Sequence, residues 1–143
     1  MNRFSRVLRD IVENLGRRTV VFPVAFMGFI FLLSSIPGGK KHVLGYSFEL
    51  NPHFGNFLHV PVYCLLATLW LITLQTWQVP LRKSLVLAVV YATLYGALDE
   101  VHQYFVPDRF MSLMDVLANL LGALIAAFCW RHLRGLFFAP KPS

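Results

Sequence analysis

Asp99 and Glu100 are adjacent carboxylates in an otherwise apolar stretch of this chain. Asp115 lies on the next apolar stretch, and His59 lies on an earlier one. Carboxylates and a histidine at one site are suited to general acid–base catalysis, because burial and like-charge repulsion keep one carboxyl protonated while another accepts a proton. The same groups could instead hold a divalent cation. Either chemistry requires helices or strands that bring residues from three stretches together.

The composition indicates a membrane protein. Hydrophobic residues make up 57% of the 143 residues, above the roughly 45–50% of soluble domains. The net charge is +6, but the basic residues flank apolar runs and do not form one stripe. This pattern favours anionic lipid head groups over nucleic acid. We therefore expect membrane lipids as partners and no nucleic acid.

Four apolar runs have lengths close to the roughly 20 residues that a membrane-spanning helix needs. They are Thr19–Ile36, Phe57–Trp77, Ser84–Phe105 and Ser112–Trp130. We predict an all-α polytopic membrane protein with four transmembrane helices in one bundle. The first run follows a basic segment, as the apolar part of a signal peptide does, but its length and the lack of an A-x-A pattern favour a retained span.

The segments outside these runs have a different character. Residues 1–17 carry apolar side chains at helical spacing with arginines between them, which predicts an amphipathic helix lying in the membrane interface. A solvated cytoplasmic lead-in is the alternative. We expect the transmembrane domain to cover residues 18–131 and a cytoplasmic tail to cover residues 132–143.

The distribution of lysine and arginine predicts the orientation. Ten of these residues flank one side of the predicted spans, and three flank the other side. The positive-inside rule places the richer side, with both chain termini, in the cytoplasm. The predicted location is the inner or plasma membrane, which the chain crosses several times.

This topology brings polar residues of all four spans to the outer leaflet. The third span runs outward and the fourth runs inward, so Asp99 and Asp115 lie at similar depth. Helical phase gives each span one face of polar or small residues. These faces comprise Asn56, His59 and Tyr63 on the second span, Tyr95, Gly96, Asp99 and Gln103 on the third with Glu100 on its flank, Asp115, Asn119, Gly122 and Ala126 on the fourth, and Ser34 and Ser35 at the end of the first.

One spaced pattern resembles the signature of the VanZ-like membrane protein family: Asp99-Glu100-x-x-Gln103-x-Phe105-x-x-x-Arg109-x-x-Ser112-x-x-Asp115-x-x-x-Asn119-x-x-Gly122. His59 and Tyr63 match the family's upstream histidine and tyrosine, and Ser34-Ser35-Ile36-Pro37 resembles the end of its first helix. The family often has a lysine at the position of Asn56. Because this chain has an asparagine there, the resemblance implies no anion-binding role for this position. The resemblance covers roughly residues 20–130. It implies a fold and a link to glycopeptide (teicoplanin) resistance, but no particular reaction.

Residue chemistry suggests a role for each candidate. The predicted catalytic residues are Asp99, Glu100, His59 and Asp115. The predicted binding residues are Gln103, Arg109, Asn119, Tyr63 and Ser35. The guanidinium of Arg109 can clamp a carboxylate or a phosphate. We predict no cofactor, leave a divalent cation open, and draw no conclusion about the oligomeric state.

A structural alternative is that these polar groups only staple the helices together. Interhelical hydrogen bonds in membranes average about 0.6 kcal/mol, whereas inserting each ionisable group costs about 2.5–3.5 kcal/mol, so the sequence favours a function. Some neighbours have simpler interpretations. We expect His102 at the interface and Asp108 in solvent, and we expect the serines that end the first span to bond their own backbone. Ser112 is expected to cap the fourth helix near Asp115.

Three functions fit these residues. The first is a membrane enzyme acting on a lipid or lipid-linked envelope component, with Arg109 on an anionic head group while His59 and a carboxylate move a proton. The second is a non-catalytic binding or resistance factor that alters the access of glycopeptides or other agents to the cell surface. The third is a small proton-coupled transporter, which is disfavoured because four short helices show no repeat and no broken helix.

Overall fold

The protein is described by a computed structural model over residues 14–38, 41–43, 46–48 and 52–133, with side chains described at 14–38 and 58–133. Its helices are α1 (Val21–Ser34), α2 (Pro52–Thr76), α3 (Leu81–Tyr104) and α4 (Leu113–Leu133), and a short 3-10 helix, Gly16–Val20, leads into α1. Within these described ranges, four helical segments are long and apolar enough to cross a membrane. The predicted all-α class with four spanning helices is confirmed.

A short antiparallel hairpin lies between α1 and α2, and the sequence analysis did not predict it. Its strands are β1 (Lys41–Val43) and β2 (Tyr46–Phe48), and Lys41 pairs with Phe48. The helical prediction for residues 1–17 falls mainly on residues 1–13, outside the described residues, as does most of the predicted tail.

The helices differ in how much of their surface they bury. α2 packs most extensively along α4, and α3 packs against both of them, whereas α1 lies against α2 and α3. Leu66, Ala88 and Ala123 are fully buried between the three inner helices, while most large side chains of α1 face outward. The bundle is therefore a three-helix core with α1 at its periphery.

A glycine sets the distance between α2 and α4. A Cβ atom at Gly122 would overlap the backbone carbonyl oxygen of Val60 and would lie 3.0 Å from the backbone nitrogen of Cys64. Small residues allow helix backbones to approach closely in membranes, where van der Waals packing replaces the hydrophobic effect between helices. This contact holds the start of α2 against the middle of α4.

The predicted helix bounds were too short at the starts of α2 and α3 and at the end of α4, and one or two residues too long at the other ends. α2 begins at Pro52, five residues before the predicted start, and α3 begins at Leu81, three residues before the predicted start. Apolar runs mark only the part of a helix that lies in hydrocarbon, and the helical backbone continues into the polar region. A proline suits the first helical position because its φ is already helical and its missing N–H has no helical acceptor there.

The turn between α3 and α4 contacts the chain that follows α1. We call this end of the bundle, defined by residues 105–112, the turn end. The backbone N–H of Gly38 donates to the carbonyl oxygen of Pro107 at 3.0 Å. A Cβ atom at Gly38 would overlap the backbone carbonyl of Asp108, which itself has a φ of 57°. The end of α1 is thus fixed on this turn by backbone contacts.

Candidate functional site

The structure brings the predicted polar residues of α2, α3 and α4 together near the turn end. We call this group the polar cluster; it comprises His59 and Tyr63 from α2, Asp99, Glu100 and Gln103 from α3, and Asp115 and Asn119 from α4. All of these residues except His59 are buried. The side chain of Asn56 lies outside the described residues.

Glu100 is the most deeply buried acid of the cluster, with no exposed surface. Helical phase predicts it on the flank of the polar face, but α3 is packed between α2 and α4, so its buried arc is wide enough to include both adjacent acids. One carboxylate oxygen of Glu100 accepts a hydrogen bond from the backbone N–H of Ser112 at 2.9 Å. Glu100 therefore ties α3 to the residue that precedes α4.

Gln103 links the two acids of α3. Its side-chain amide nitrogen donates to Asp99 at 3.0 Å and to Glu100 at 3.5 Å. Its side-chain oxygen accepts from Nη1 of Arg109 at 3.4 Å. The side-chain amide of Gln103 thus bridges Arg109 and the two carboxylates.

Arg109 lies in the turn, at the edge of the polar cluster. Besides Gln103, it contacts the backbone carbonyl of Ile36, to which its Nε donates at 3.2 Å. The sequence predicted that the guanidinium of Arg109 can bind a carboxylate or a phosphate. In the structure it donates hydrogen bonds to a side-chain amide oxygen and a backbone carbonyl. Its Nη2 has no hydrogen-bond partner within the described ranges, so it retains donor capacity towards a ligand.

His59 connects α2 to α4. Its Nδ1 lies 2.9 Å from Oδ1 of Asn119, and its Nε2 lies 3.9 Å from Oδ2 of Asp115. Its ring stacks on the ring of Tyr63, with 6.1 Å between centroids and an interplanar angle of 6°. The side chain of His59 is 16% exposed. The histidine is thus held by partners on two sides at the partly open edge of the cluster.

Gly96 makes room for these partners. A Cβ atom there would lie 2.5 Å from Nδ2 of Asn119 and 2.9 Å from the ring of Tyr63. Both side chains therefore pack directly against the backbone of α3 at Gly96. This packing fixes the position of Asn119, which bonds His59.

Several buried polar atoms of the cluster have no hydrogen-bond partner among the residues that the structure describes. They include Oδ1 of Asp115 and Nδ2 of Asn119, whereas the hydroxyl of Tyr63 and the carboxylate of Asp99 face each other. A buried polar group without a partner costs about 1–3 kcal/mol. Water or a ligand at this position would remove that cost.

The cluster contains more acids than nearby cations. Asp99, Glu100 and Asp115 lie close together, and Arg109 reaches them only through Gln103. Atoms of His59, Glu100 and Asp115 that could bind a metal all lie within 4.8 Å of one another. These three residues are the candidate ligands for a cation.

Ser35 lies apart from the cluster. Its hydroxyl donates to the carbonyl of Phe31 at 2.7 Å and lies 3.0 Å from Nε2 of His102. The ring of His102 packs on Phe31, with 4.4 Å between centroids. Ser34 also bonds the carbonyl of Phe31, as expected for serines near a helix end. Ser35 therefore joins α1 to α3 and makes no hydrogen bond to the polar cluster.

The predicted cap of α4 is confirmed. The hydroxyl of Ser112 accepts from the backbone N–H of Asp115 at 3.3 Å. This contact orients the first turn of α4, from which Asp115 points into the cluster.

An apolar groove is lined partly by residues of α3 that precede Asp99 in sequence. It has a volume of about 220 Å³ and is lined by Met27, Trp70, Tyr91, Leu94, Tyr95 and Leu98. Tyr95 precedes Asp99 by four residues on α3, and its hydroxyl donates to the backbone carbonyl of Met27. Helical phase placed Tyr95 on the polar face, but the groove was not predictable from one helix, because α1 supplies one wall.

The comparison with known families agrees with the motif. The model of the VanZ/LLP1 family matches residues 19–137, a range that includes every residue of the polar cluster and of the groove. This match confirms the resemblance inferred from the pattern between Asp99 and Gly122. No curated protein matches the chain, and no solved structure matches it.

Proposed function

The chain belongs to the VanZ/LLP1 family of membrane proteins, and on that premise we propose that it binds the anionic head group of a lipid or lipid-linked component of the cell envelope. The observation that carries this proposal is the polar cluster with unpartnered buried atoms inside a bundle of apolar helices. Ionisable groups are costly in a membrane, and their retention is explained when they contact a ligand.

Arg109 is the residue we assign to the head group. It is half-buried at the edge of the cluster, and Nη2 has no hydrogen-bond partner in the described part of the chain. A guanidinium donates two parallel hydrogen bonds to a phosphate or carboxylate more readily than an ammonium does. Gln103, which bonds both Arg109 and the acids, would transmit head-group binding to the cluster.

The groove supports a lipid rather than a free anion. Tyr95 lines this groove one helical turn before Asp99, so a ligand with a head group at the cluster could place a hydrocarbon chain against Tyr91 and Leu94. A water-soluble anion has no hydrocarbon chain that would contact this apolar surface. The exposed side chain of Tyr104, next to the turn end, suits the interface between head groups and hydrocarbon.

We also propose the orientation that the basic residues predict. Both chain termini then lie in the cytoplasm of the inner or plasma membrane, and the turn end lies in the outer leaflet. The ligand would be reached from the outer surface, where cell-envelope components and glycopeptides meet. An effect on glycopeptide (teicoplanin) resistance would follow from binding such a component.

The deciding experiment compares lipid profiles by mass spectrometry in cells that lack the protein, express it normally or overexpress it. Native mass spectrometry of the purified protein then identifies the lipid that it retains. We expect one lipid class to change in abundance or to co-purify, and Arg109→Ala to reduce its retention. Asp108→Asn is the matched control, because Asp108 is exposed in the same turn and asparagine also tolerates its positive φ. Unchanged lipid profiles with no retained lipid would refute the proposal.

A further inference from the structure

We infer that His59, Glu100 and Asp115 form a binding site for a divalent transition-metal cation of the Zn²⁺ or Mn²⁺ class. The site uses residues of the polar cluster, but the inference goes beyond the proposed function, because the cation would bind in the absence of any lipid. It rests on the spacing of the three side chains, the hydrogen bond that orients His59, and the unpartnered groups around them.

The spacing fits a single cation. Zinc binds nitrogen and oxygen ligands at about 2.0–2.2 Å in a tetrahedral arrangement, so two ligands of one ion lie about 3.4 Å apart. Nε2 of His59 and Oδ2 of Asp115 are 3.9 Å apart. The ligand atoms of all three residues lie within 4.8 Å of one another. Closing a pair at that limit needs a relative movement of roughly 1.4 Å, shared between two side chains.

The hydrogen bond of His59 selects the form that binds metals. Oδ1 of Asn119 can only accept, so the Nδ1 atom of His59 carries the proton and donates it at 2.9 Å. In the neutral imidazole, Nε2 then presents a lone pair towards the carboxylate of Asp115, at a distance too long for a hydrogen bond. Two facing lone-pair donors repel unless a cation lies between them. Histidines that bind metals commonly donate their other N–H to an oxygen in this way.

Unpartnered groups beside the three ligands give independent support. Oδ1 of Asp115 has no hydrogen-bond partner within the described ranges, and the residue is 7% exposed. Nδ2 of Asn119, whose Oδ1 bonds His59, is likewise unpartnered within the described ranges, and Asn119 is fully buried. A cation with bound water would supply partners to both. It would also offset negative charge that Arg109 does not contact directly.

The ligand set indicates the kind of cation. One imidazole with two carboxylates suits Zn²⁺ or Mn²⁺, since imidazole favours the later first-row metals and carboxylates favour Mn²⁺. Ca²⁺ prefers six to eight oxygen ligands, which three side chains do not provide. With three protein ligands, the cation keeps open positions for water or for an oxygen of a bound head group.

Metal content of the purified full-length protein tests the inference. The protein in detergent is stripped with a chelator, titrated with Mn²⁺ or Zn²⁺ alone, and measured by calorimetry, by elemental analysis and, for Mn²⁺, by electron paramagnetic resonance. We expect about one ion per chain and at least tenfold weaker binding in His59→Asn, Glu100→Gln and Asp115→Asn. Asp108→Asn should bind as the wild type does. No stoichiometric ion in the wild type, or equal binding by every variant, would overturn the inference.

A second pair of variants tests the orienting role of Asn119. Asn119→Asp keeps an acceptor for Nδ1 of His59 and should retain the ion, whereas Asn119→Leu removes the acceptor and should weaken binding about tenfold. If the ligand variants fail to fold, the wild type still decides the matter: Mn²⁺ or Zn²⁺ should raise its melting temperature in a concentration-dependent way, and Ca²⁺ should not. Absence of that shift would count against the site.

The same preparations separate this inference from the proposed function. Metal binding by a protein that retains no lipid would support the cation site and refute the lipid proposal. Lipid retention that persists in the chelated protein, with no ion bound on titration, would support the lipid proposal and refute the cation site.

Discussion

One carboxylate oxygen of Glu100 accepts a hydrogen bond from the backbone N–H of Ser112 at 2.9 Å. The deepest acid of the polar cluster therefore also fixes the start of α4. Since Ser112 in turn caps the backbone N–H of Asp115, the two acids are coupled through one residue of the turn. A change at Glu100 will affect both the ligand site and the position of α4.

This coupling predicts that two substitutions of Glu100 differ in their effect on stability. Glu100→Ala leaves the N–H of Ser112 without its acceptor and should lower the free energy of unfolding by about 1–3 kcal/mol. Glu100→Gln retains an acceptor oxygen and should keep most of that stability. Thermal unfolding in detergent, followed by circular dichroism, measures the difference. Equal melting of wild type and Glu100→Ala would contradict the role given to this hydrogen bond.

Removing charge from the cluster should abolish its function without removing the protein. Asp99→Asn, Glu100→Gln and Asp115→Asn keep side-chain size, so protein levels in the membrane should stay near those of the wild type. Any activity or resistance phenotype should be lost, because proton transfer or cation binding needs the carboxylates. Immunoblotting of membranes and growth in the presence of a glycopeptide check both. Loss of the folded protein in all three variants would instead support the structural alternative, in which the cluster only staples the helices.

Gly122→Ala should separate α2 from α4, because the added methyl group would overlap the backbone carbonyl of Val60. Overpacking of this kind costs about 1–3 kcal/mol. Gly28→Ala is the matched control, since no atom of the described residues lies within 4 Å of a Cβ atom at that position of α1. Melting temperatures of the two variants in detergent measure the contrast. A stable Gly122→Ala protein would show that the two helices move apart without penalty.

Gly96→Ala should weaken the polar cluster without altering any proposed ligand. Its methyl group would push against Asn119 and Tyr63, and a displaced Asn119 would no longer hold His59 in place. We expect metal affinity to fall about tenfold, as when an orienting partner is removed. Calorimetric titration with Mn²⁺ measures this change. Gly28→Ala should titrate as the wild type does, and an unchanged Gly96→Ala titration would argue against Asn119 as the orienting residue.

Tyr95→Phe should loosen α1, because the hydroxyl of Tyr95 donates to the backbone carbonyl of Met27 and links α1 to α3. Loss of one interhelical hydrogen bond in a membrane protein costs about 0.6 kcal/mol. The expected results are a slightly lower melting temperature and weaker lipid retention, since Met27 and Tyr95 both line the groove. Tyr91→Phe, which changes the same groove, serves as the control. Identical retention by both variants would contradict the prediction.

Regular spacing explains what the sequence predicted correctly. Asp115, Asn119, Gly122 and Ala126 recur at intervals of three or four residues, and all four are buried on one face of α4. The cap at Ser112 was predictable for the same local reason, because a serine hydroxyl reaches the N–H three residues later whatever the rest of the fold does.

Long-range contacts explain what the sequence did not predict. The guanidinium of Arg109 has five donors on a long side chain, so spacing alone could not choose among Gln103, Ile36 and the acids. The position of Glu100 depends on α3 having a neighbour on each side of its polar face. The groove depends on how α1 lies against α2 and α3, and no local pattern encodes that arrangement.

The contact between Gly38 and the α3–α4 turn has a consequence for sequence variation in the family. A side chain at position 38 and the present backbone path at Asp108 would occupy the same space, so these two sites should change together in relatives. Chains that carry a larger residue at the first site should have a turn of different length or backbone conformation at the second. An alignment of relatives would then show covariation between two segments that are about 70 residues apart in sequence.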